Sequence, residues 1–303
     1  MTAILTPEEW LARRTLHPSH NEARSLGGYL AEAGLSADVL LLARDASPTL
    51  GRHLLTLMHG WPGGKSPFQQ IIVADLGSTD TTVEIAEDAS ATVLLPESPR
   101  AASLAPAADG DGFARALSAS QADLLLVVPA GLTRIDLDAL ATLLDSFRQF
   151  PSLLLAQGFQ GASGGPLSTH LARPLLATLL PELGLLADPT CPILAVRRTA
   201  FRAVPIARSS GYEPSLVVEA WKQGGLDALA QTRIHPLEWD TRVTPDEGVP
   251  FRCTLALLES LRRARRLSTP QEFSHIASTL VDSPSGDLLA RAQLHVFPWN
   301  TPI

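Results

Sequence analysis

The chain has 303 residues, 45% of them hydrophobic and 18% charged, with a formal net charge of −7. That balance excludes a disordered chain, and its acidity argues against general nucleic-acid binding. No uninterrupted apolar run reaches the roughly 18 to 20 residues of a membrane-spanning helix. Two cysteines, Cys191 and Cys253, are too few for a disulfide framework and form no metal knuckle. The start lacks a basic segment followed by an apolar stretch, so a cytoplasmic protein is expected.

Residues 1–36 read as a helical extension, with Ser19 or Asn21 as caps and Gly34 as a stop. The texture then changes. ADVLLLAR (37–44), FQQIIVAD (68–75), ATVLLP (91–96) and ADLLLVVP (122–129) read as strands. Helical patterns at 48–58, 79–89 and 112–120 separate them. Strands alternating with helices predict a mainly parallel sheet covered on both faces. The alternation continues through a helix at 136–149 and a strand at 151–159. Next comes a long helix at 167–183, kinked at Pro174. A strand at 192–198, a helix at 216–225, a strand at 226–234 and a helix at 251–266 complete one continuous domain, residues 37–266. Residues 267–303 form a C-terminal appendage with one more helical stretch.

Three motifs carry little. GWPGGKS (60–66) is one residue short of a P-loop and precedes a strand instead of following one, so it reads as a surface turn. The arginines at 262, 263, 265 and 266 read as the solvated end of a helix, where cations complement the dipole. GASGG (161–165) matches GxSxG and raises a serine hydrolase at Ser163, with His235 or His275 as base and Asp188 or Glu213 as acid. Gln160 and Gly161 follow the strand and Pro166 delays the helix, which suits a flexible loop better.

The most informative segment is IIVADLGSTDTTVEIAEDASATVLL (71–95). An apolar strand ends in Asp75, and Gly77, Ser78, Thr79 and Asp80 turn the chain and cap the next helix through Thr79 or Asp80. At a strand's carboxyl end Asp75 can accept hydrogen bonds from a base or ribose, with Gly77 permitting a tight turn beside it. An Asx turn with an N-cap accounts for Ser78 to Asp80 but leaves Asp75 unexplained. Asp75, Gly77, Ser78 and Asp80 are therefore the candidate nucleotide-binding residues.

DLGSTDTT, followed by a helix and ATVLLP, resembles the nucleotide-binding half of a GT-A glycosyltransferase. With GDGFARALSASQADLLLVV (110–128), HLARPLLATLLPELG (170–184), the segment around Gly211 and Glu213, and GLDALAQ (225–231), the likeness narrows to glucosyl-3-phosphoglycerate synthases and their mannosyl relatives. It spans roughly residues 38 to 266. The resemblance implies the GT-A fold, a UDP- or GDP-sugar donor, a divalent Mg or Mn ion, a glycerate-like acceptor and a dimer.

The departures fall on positions where the resemblance implies working residues. Asp45-Ala46 stands where it implies Asn-Glu, and Gly110-Asp111-Gly112 where it implies Gly-Lys-Gly. Pro129-Ala130-Gly131 replaces the metal-binding Asp-x-Asp, and Trp239 replaces a metal-binding His. Gly164-Gly165-Pro166 replaces the acceptor-loop Gly-Gly-Arg, and Pro192-Ile193-Leu194 a Gly-Glu-Tyr stretch. Asp75, Arg173, Arg198 and Glu213 remain, with Glu213 the candidate catalytic group. These losses lead to the expectation of a degenerate pseudo-glycosyltransferase without a cofactor, using its cleft or a dimer-like surface to bind a second copy or an active paralogue. The alternative is an active transferase with an atypical metal site or none.

Overall fold

A computed structural model describes residues 6–19, 22–96, 109–161, 164–207, 211–242 and 249–266. Among these, the elements run α1 (Pro7–Arg14), β1 (Thr15–Leu16), α2 (Glu22–Ala33), β2 (Ala37–Ala43), α3 (Ser47–His59), β3 (Ile71–Asp75) and α4 (Thr82–Asp88). They continue as β4 (Thr92–Leu94), α5 (Asp109–Ala119), β5 (Leu124–Pro129), α6 (Leu137–Gln149) and β6 (Leu155–Phe159). Last come α7 (Arg173–Leu179), β7 (Leu194–Arg197), α8 (Arg198–Phe201), α9 (Tyr212–Gly224), β8 (Leu229–Arg233) and α10 (Val249–Arg263).

The strands form one sheet in the order β1-β8-β6-β7-β5-β2-β3-β4. Every pair is parallel except β7 with β5 and with β6. The expected α/β architecture, a mainly parallel sheet with helices on both faces, is what the chain builds. Burial explains the continuous apolar runs. In β2, Val39 and Leu41 enter the layer under α2, α3 and α6, while Leu40 and Leu42 enter the layer under α5, α9 and α10.

Residues 6–16 fasten onto the edge of this sheet. β1 pairs with β8, and the fully buried Trp10 donates its indole N–H to the Leu226 carbonyl. Arg14 meets Asp227 at 3.3 Å. A two-residue strand lies below what hydrophobic periodicity registers, which is why the helical reading of 1–36 passed over it. Gly34 does stop α2, at φ 63°.

The helix expected at 167–183 is instead a π-helical segment, Ser168–Ala172, then α7, then a 3-10 turn, Pro181–Leu185. Pro174 offers no N–H to the helical ladder, so the wider turn before it absorbs the defect that was expected as a kink. The Gly60–Ser66 segment is a turn between α3 and β3, with Gly63 and Gly64 at φ 92° and 70°. Three of the four clustered arginines have structural partners. Arg262 is bidentate to Glu259, Arg263 reaches Glu219, and Arg266 stacks over Trp221. No helix among the described residues is long and apolar enough to cross a membrane. Residues 267–303, including His275, lie outside the described residues, as does Ser163.

Candidate functional site

Two turns at the carboxyl edge of the sheet lock onto each other. After β3, the Asp75 carboxylate accepts the backbone N–H groups of Gly77 at 2.9 Å and Ser78 at 3.1 Å. Gly77 takes φ 89°, which a residue with a Cβ rarely adopts. Asp75 is thus the organiser of the Asx turn. This corrects the expectation that the turn leaves it unexplained: the buried carboxylate, 4% exposed, is the acceptor for two N–H groups of the turn. The N-cap of α4 is Thr81, not the expected Thr79 or Asp80, and its side chain makes no cap bond; Asp80, one residue earlier, accepts from the Thr82 N–H at 3.0 Å and from the Ser47 N–H at 3.0 Å, reaching across to α3. Burial pushes the Asp80 carboxyl up, and the bonds from Thr82 and Ser47 outweigh it, leaving it below the ordinary carboxylate value.

The turn after β2 answers in kind. Asp45 sits at φ 46°, accepts from the Thr79 N–H at 2.7 Å, and donates its own N–H to the Ser78 hydroxyl at 3.0 Å. Ala46 donates to the Thr82 hydroxyl at 2.8 Å. Arg115 of α5 ties the same region down by donating to the Asp75 carbonyl at 2.8 Å. Asp111, on the first turn of α5, pairs with Arg115 at 3.3 Å. A negative charge at a helix N-terminus complements its dipole. Where the resemblance implies a free lysine, this chain has an acid–base pair.

Beside these turns, the loop after β5 is held almost entirely by main chain. The Ala130 N–H donates to the Leu42 carbonyl, and the Thr49 hydroxyl donates to the Ala130 carbonyl. Residues 238–240 run alongside: Leu132 and Trp239 form an antiparallel bridge, and the Asp240 N–H donates to the Gly131 carbonyl at 3.0 Å. The fold therefore brings together the two sets of positions, 129–131 and 239, that the resemblance implies for one metal. Their side chains do not fit that role. Mg and Mn need hard oxygen ligands, and Pro129, Ala130, Gly131 and Trp239 supply none. Asp240, the neighbouring carboxylate, is bidentate to Arg242, which pulls its pKa down to about 2. Among the described residues, no three His, Cys, Asp or Glu groups stand where they could hold a metal ion. Trp239 is 48% exposed, a flat aromatic surface on this edge.

A different electrostatic setting surrounds Glu213. Gly211 precedes α9 at φ 89°, and a Cβ there would lie 2.4 Å from the Cys253 Cα, so only glycine lets α9 start so close to α10. This buries Tyr212 and Glu213 at the start of α9. Burial, with Asp109 and Asp188 adding like charge, pushes the Glu213 carboxyl up to about 8. Burial also raises Asp188, and lifts the Tyr212 hydroxyl and the Cys191 thiol well above their ordinary values. Gly164 of the loop that the resemblance assigns to the acceptor closes on Asp188, where a Cβ would meet Asp188 Cγ at 2.6 Å. Three carboxyls from α5, the 188–191 loop and α9 thus share one buried corner. This shift favours the protonated form of Glu213 at neutral pH. Asp109 is the partner that sequence reasoning missed. It lies more than a hundred residues from Glu213, and no spacing rule connects them.

The remaining candidates disperse. Arg198 is buried at the opposite, amino-terminal end of β5, donating to the Ala122 and Gln121 carbonyls. Its retention has a structural reason. Leu194 opens β7, so Pro192-Ile193-Leu194 leads into the sheet and presents no polar side chain. His235 faces Asp136 at 3.4 Å, away from the acids named for a hydrolase.

No family model matches the chain. Individual proteins do. Glucosyl-3-phosphoglycerate synthase of Mycolicibacterium paratuberculosis is 30% identical over a 298-residue alignment covering 92% of this chain and 86% of that protein. The chain belongs to the glucosyl-3-phosphoglycerate synthase family. The solved Mycobacterium tuberculosis glucosyl-3-phosphoglycerate synthase, in complex with Mn2+, UDP-glucose and phosphoglyceric acid, superposes with a TM-score of 0.67 at 25% identity. The match covers 78% of this chain and 83% of that one. Mannosyl-3-phosphoglycerate synthase from Rubrobacter xylanophilus shares the fold, with a TM-score of 0.75 at 22% identity over 88% of this chain and 87% of that one. The GT-A resemblance read from DLGSTDTT is therefore correct.

Proposed function

We propose that this chain is a nucleotide-sugar glycosyltransferase that works without a bound divalent metal, passing a glycosyl group to a small acid of the glycerate type. The observation that carries this reading is the likeness to a glucosyl-3-phosphoglycerate synthase along 92% of the chain, far beyond the nucleotide-binding half alone. The oxygen-free side chains at 129–131 and 239 are the reason for leaving the metal out. In the reaction, the acceptor hydroxyl oxygen bonds to the anomeric carbon as that carbon's bond to the diphosphate oxygen breaks. The nucleoside diphosphate departs with the electron pair, and the hydroxyl proton passes to it or to solvent.

In this reading the base and ribose sit over the interlocked Asp45 and Asp75 turns, where each carboxylate has acceptor capacity beyond the bonds it already makes. Trp239 supplies an apolar face for a sugar ring in place of a metal ligand. Arg242, the partner of Asp240, is the cation for the diphosphate, once it gives up part of its bond to Asp240. Protonated Glu213 hydrogen-bonds the acceptor or the sugar. The test is glycosyl transfer from UDP-glucose or GDP-mannose to 3-phosphoglycerate in the presence of EDTA. Product formed equally with and without EDTA supports the reading, and product only with added Mn2+ overturns it.

A second reading is catalytic silence, with the cleft or a dimer-like surface serving to bind a second copy or an active paralogue. It is favoured by one observation: Asp111 adds negative charge where the resemblance implies lysine, and Arg115, its partner, is already committed to the Asp75 carbonyl. Nucleotide-sugar binding with no transfer to any small acid would select it.

A further inference from the structure

Three polar side chains form a row across one end of the sheet. Thr15 of β1 is the register partner of Gln231 in β8, and Gln231 is the register partner of Gln157 in β6. Partners in parallel strands leave the sheet on the same face. Alternation puts Gln157 and Gln231 on the side of Leu155 and Leu229, in the apolar layer that also holds Tyr212 at the start of α9. Both glutamines are buried there. A buried amide costs free energy unless it is hydrogen-bonded, and a Leu or Met would fill the same space without that cost.

The two amides are spent on one stretch of irregular chain. Gln157 donates from Nε2 to the Pro189 carbonyl at 3.0 Å and to the Cys191 carbonyl at 3.1 Å. Gln231 accepts the Ala187 N–H on Oε1 at 2.9 Å. Residues 187–191 belong to no helix or strand, so these bonds do for them what a ladder does inside a sheet. The Gln231 amide is itself oriented from the sheet edge, where its Nε2 donates to the Thr15 hydroxyl at 2.9 Å.

Asp188 is what this stretch delivers. Its carboxylate accepts from the Thr190 hydroxyl at 3.0 Å and from the Gly165 main chain. Gly164 takes φ 66° and packs so closely that a Cβ there would meet Asp188 Cγ at 2.6 Å. Asp188 therefore fastens residues 164–165, the loop that the resemblance assigns to the acceptor, and its charge reaches Glu213.

We propose that Thr15, Gln231 and Gln157 are positioning residues for the acceptor side of the site: the amides hold residues 187–191, and Asp188, carried on them, holds the 164–165 loop. The word acceptor rests on the function proposed above. The row and its bonds do not.

The test is hydrogen exchange of the full free chain, read at 164–165 and 187–191, together with transfer kinetics for UDP-glucose and 3-phosphoglycerate. Gln231→Met removes the Ala187 acceptor at similar volume and should speed exchange in both segments about tenfold, the worth of one buried hydrogen bond. The KM for 3-phosphoglycerate should rise about tenfold while that for UDP-glucose stays within about twofold, a split that general destabilisation would not produce. Gln157→Met should act in the same direction. Thr15→Val, which keeps the side chain's shape and removes only the hydroxyl, should give a smaller shift of about threefold. It decides the matter if the glutamine variants fail to fold. Arg14→Gln is the control, because it loosens the same edge segment at the Asp227 pair and leaves the row intact, so exchange at 164–165 and 187–191 should not change. Unchanged exchange at 187–191 in the row variants, equal shifts in the two KM values, or an Arg14→Gln effect as large as that of Gln231→Met overturns the proposal. If the wild-type chain transfers no sugar, the proposed function fails and the exchange alone decides the row.

Discussion

Carboxylates on the two sides of this sheet edge obey opposite rules. Around the β2 and β3 turns, Asp45, Asp75 and Asp80 each accept backbone N–H groups, and the turns exist because of them. Around the start of α9, like charge from Asp109 and Asp188 adds to the burial of Glu213, whose carboxyl is pushed up to about 8. The first group is architecture, which the proposed donor site would share. The second is a set of groups whose chemistry depends on what binds beside them, and perturbed carboxyls of that kind concentrate at functional sites.

The largest expected effect separates the two by pH. Glu213 has a folded pKa of about 8 against an unfolded value of 4.5, so both states are neutral at low pH and its contribution is intact there. Between those values the unfolded chain ionises while the folded one does not, and stability falls by on the order of 5 kcal/mol. Glu213→Gln should flatten that slope in urea unfolding curves measured from pH 4 to 9. Asp80, held below its ordinary value, should act in the opposite sense, with its contribution present at neutral pH and lost on acidification. A pH-independent midpoint between 4.5 and 8 would break the contrast.

Next in size is Asp75→Ala, which removes the acceptor for the Gly77 and Ser78 N–H groups of a partly buried turn and should cost about 1–3 kcal/mol. Asp75→Asn keeps an acceptor oxygen and should recover more than half of that, as read from paired urea midpoints. Equal losses for the two variants would mean that charge, and not the turn, is what Asp75 supplies. Asp80→Ala, which removes the acceptor for the Thr82 and Ser47 N–H groups, should cost about 1 kcal/mol. Smallest is Trp239→Ala. Its backbone, and not its half-exposed ring, holds residues 238–240 to the β5 loop, so stability should move by less than about 0.5 kcal/mol. Affinity for a sugar nucleotide should nevertheless drop if the ring carries the sugar.

The sequence displayed one of these two groups far better than the other. Apolar runs at 37–44, 68–75 and 122–129 announce central strands because both sheet faces are covered, and the GSTD turn announces itself through glycine and small polar residues. Asp75 and Asp80 reach their partners within five residues or one neighbouring turn. Glu213 is legible as a lone acid, but its environment is assembled from residues 109, 188 and 253, which only the closed fold brings together. Residues 129–131 and 239 were paired by resemblance alone, because an apolar loop held by main-chain bonds leaves no pattern of its own.

The central claim is that the donor side of the cleft handles a sugar nucleotide without a metal. Calorimetric titration of UDP-glucose and GDP-mannose, each with EDTA and with excess Mn2+, tests it most directly. The account predicts binding of one nucleotide sugar with a Kd that is the same within about twofold in both conditions. Binding that appears only with Mn2+, or a failure of every donor to bind, would contradict it.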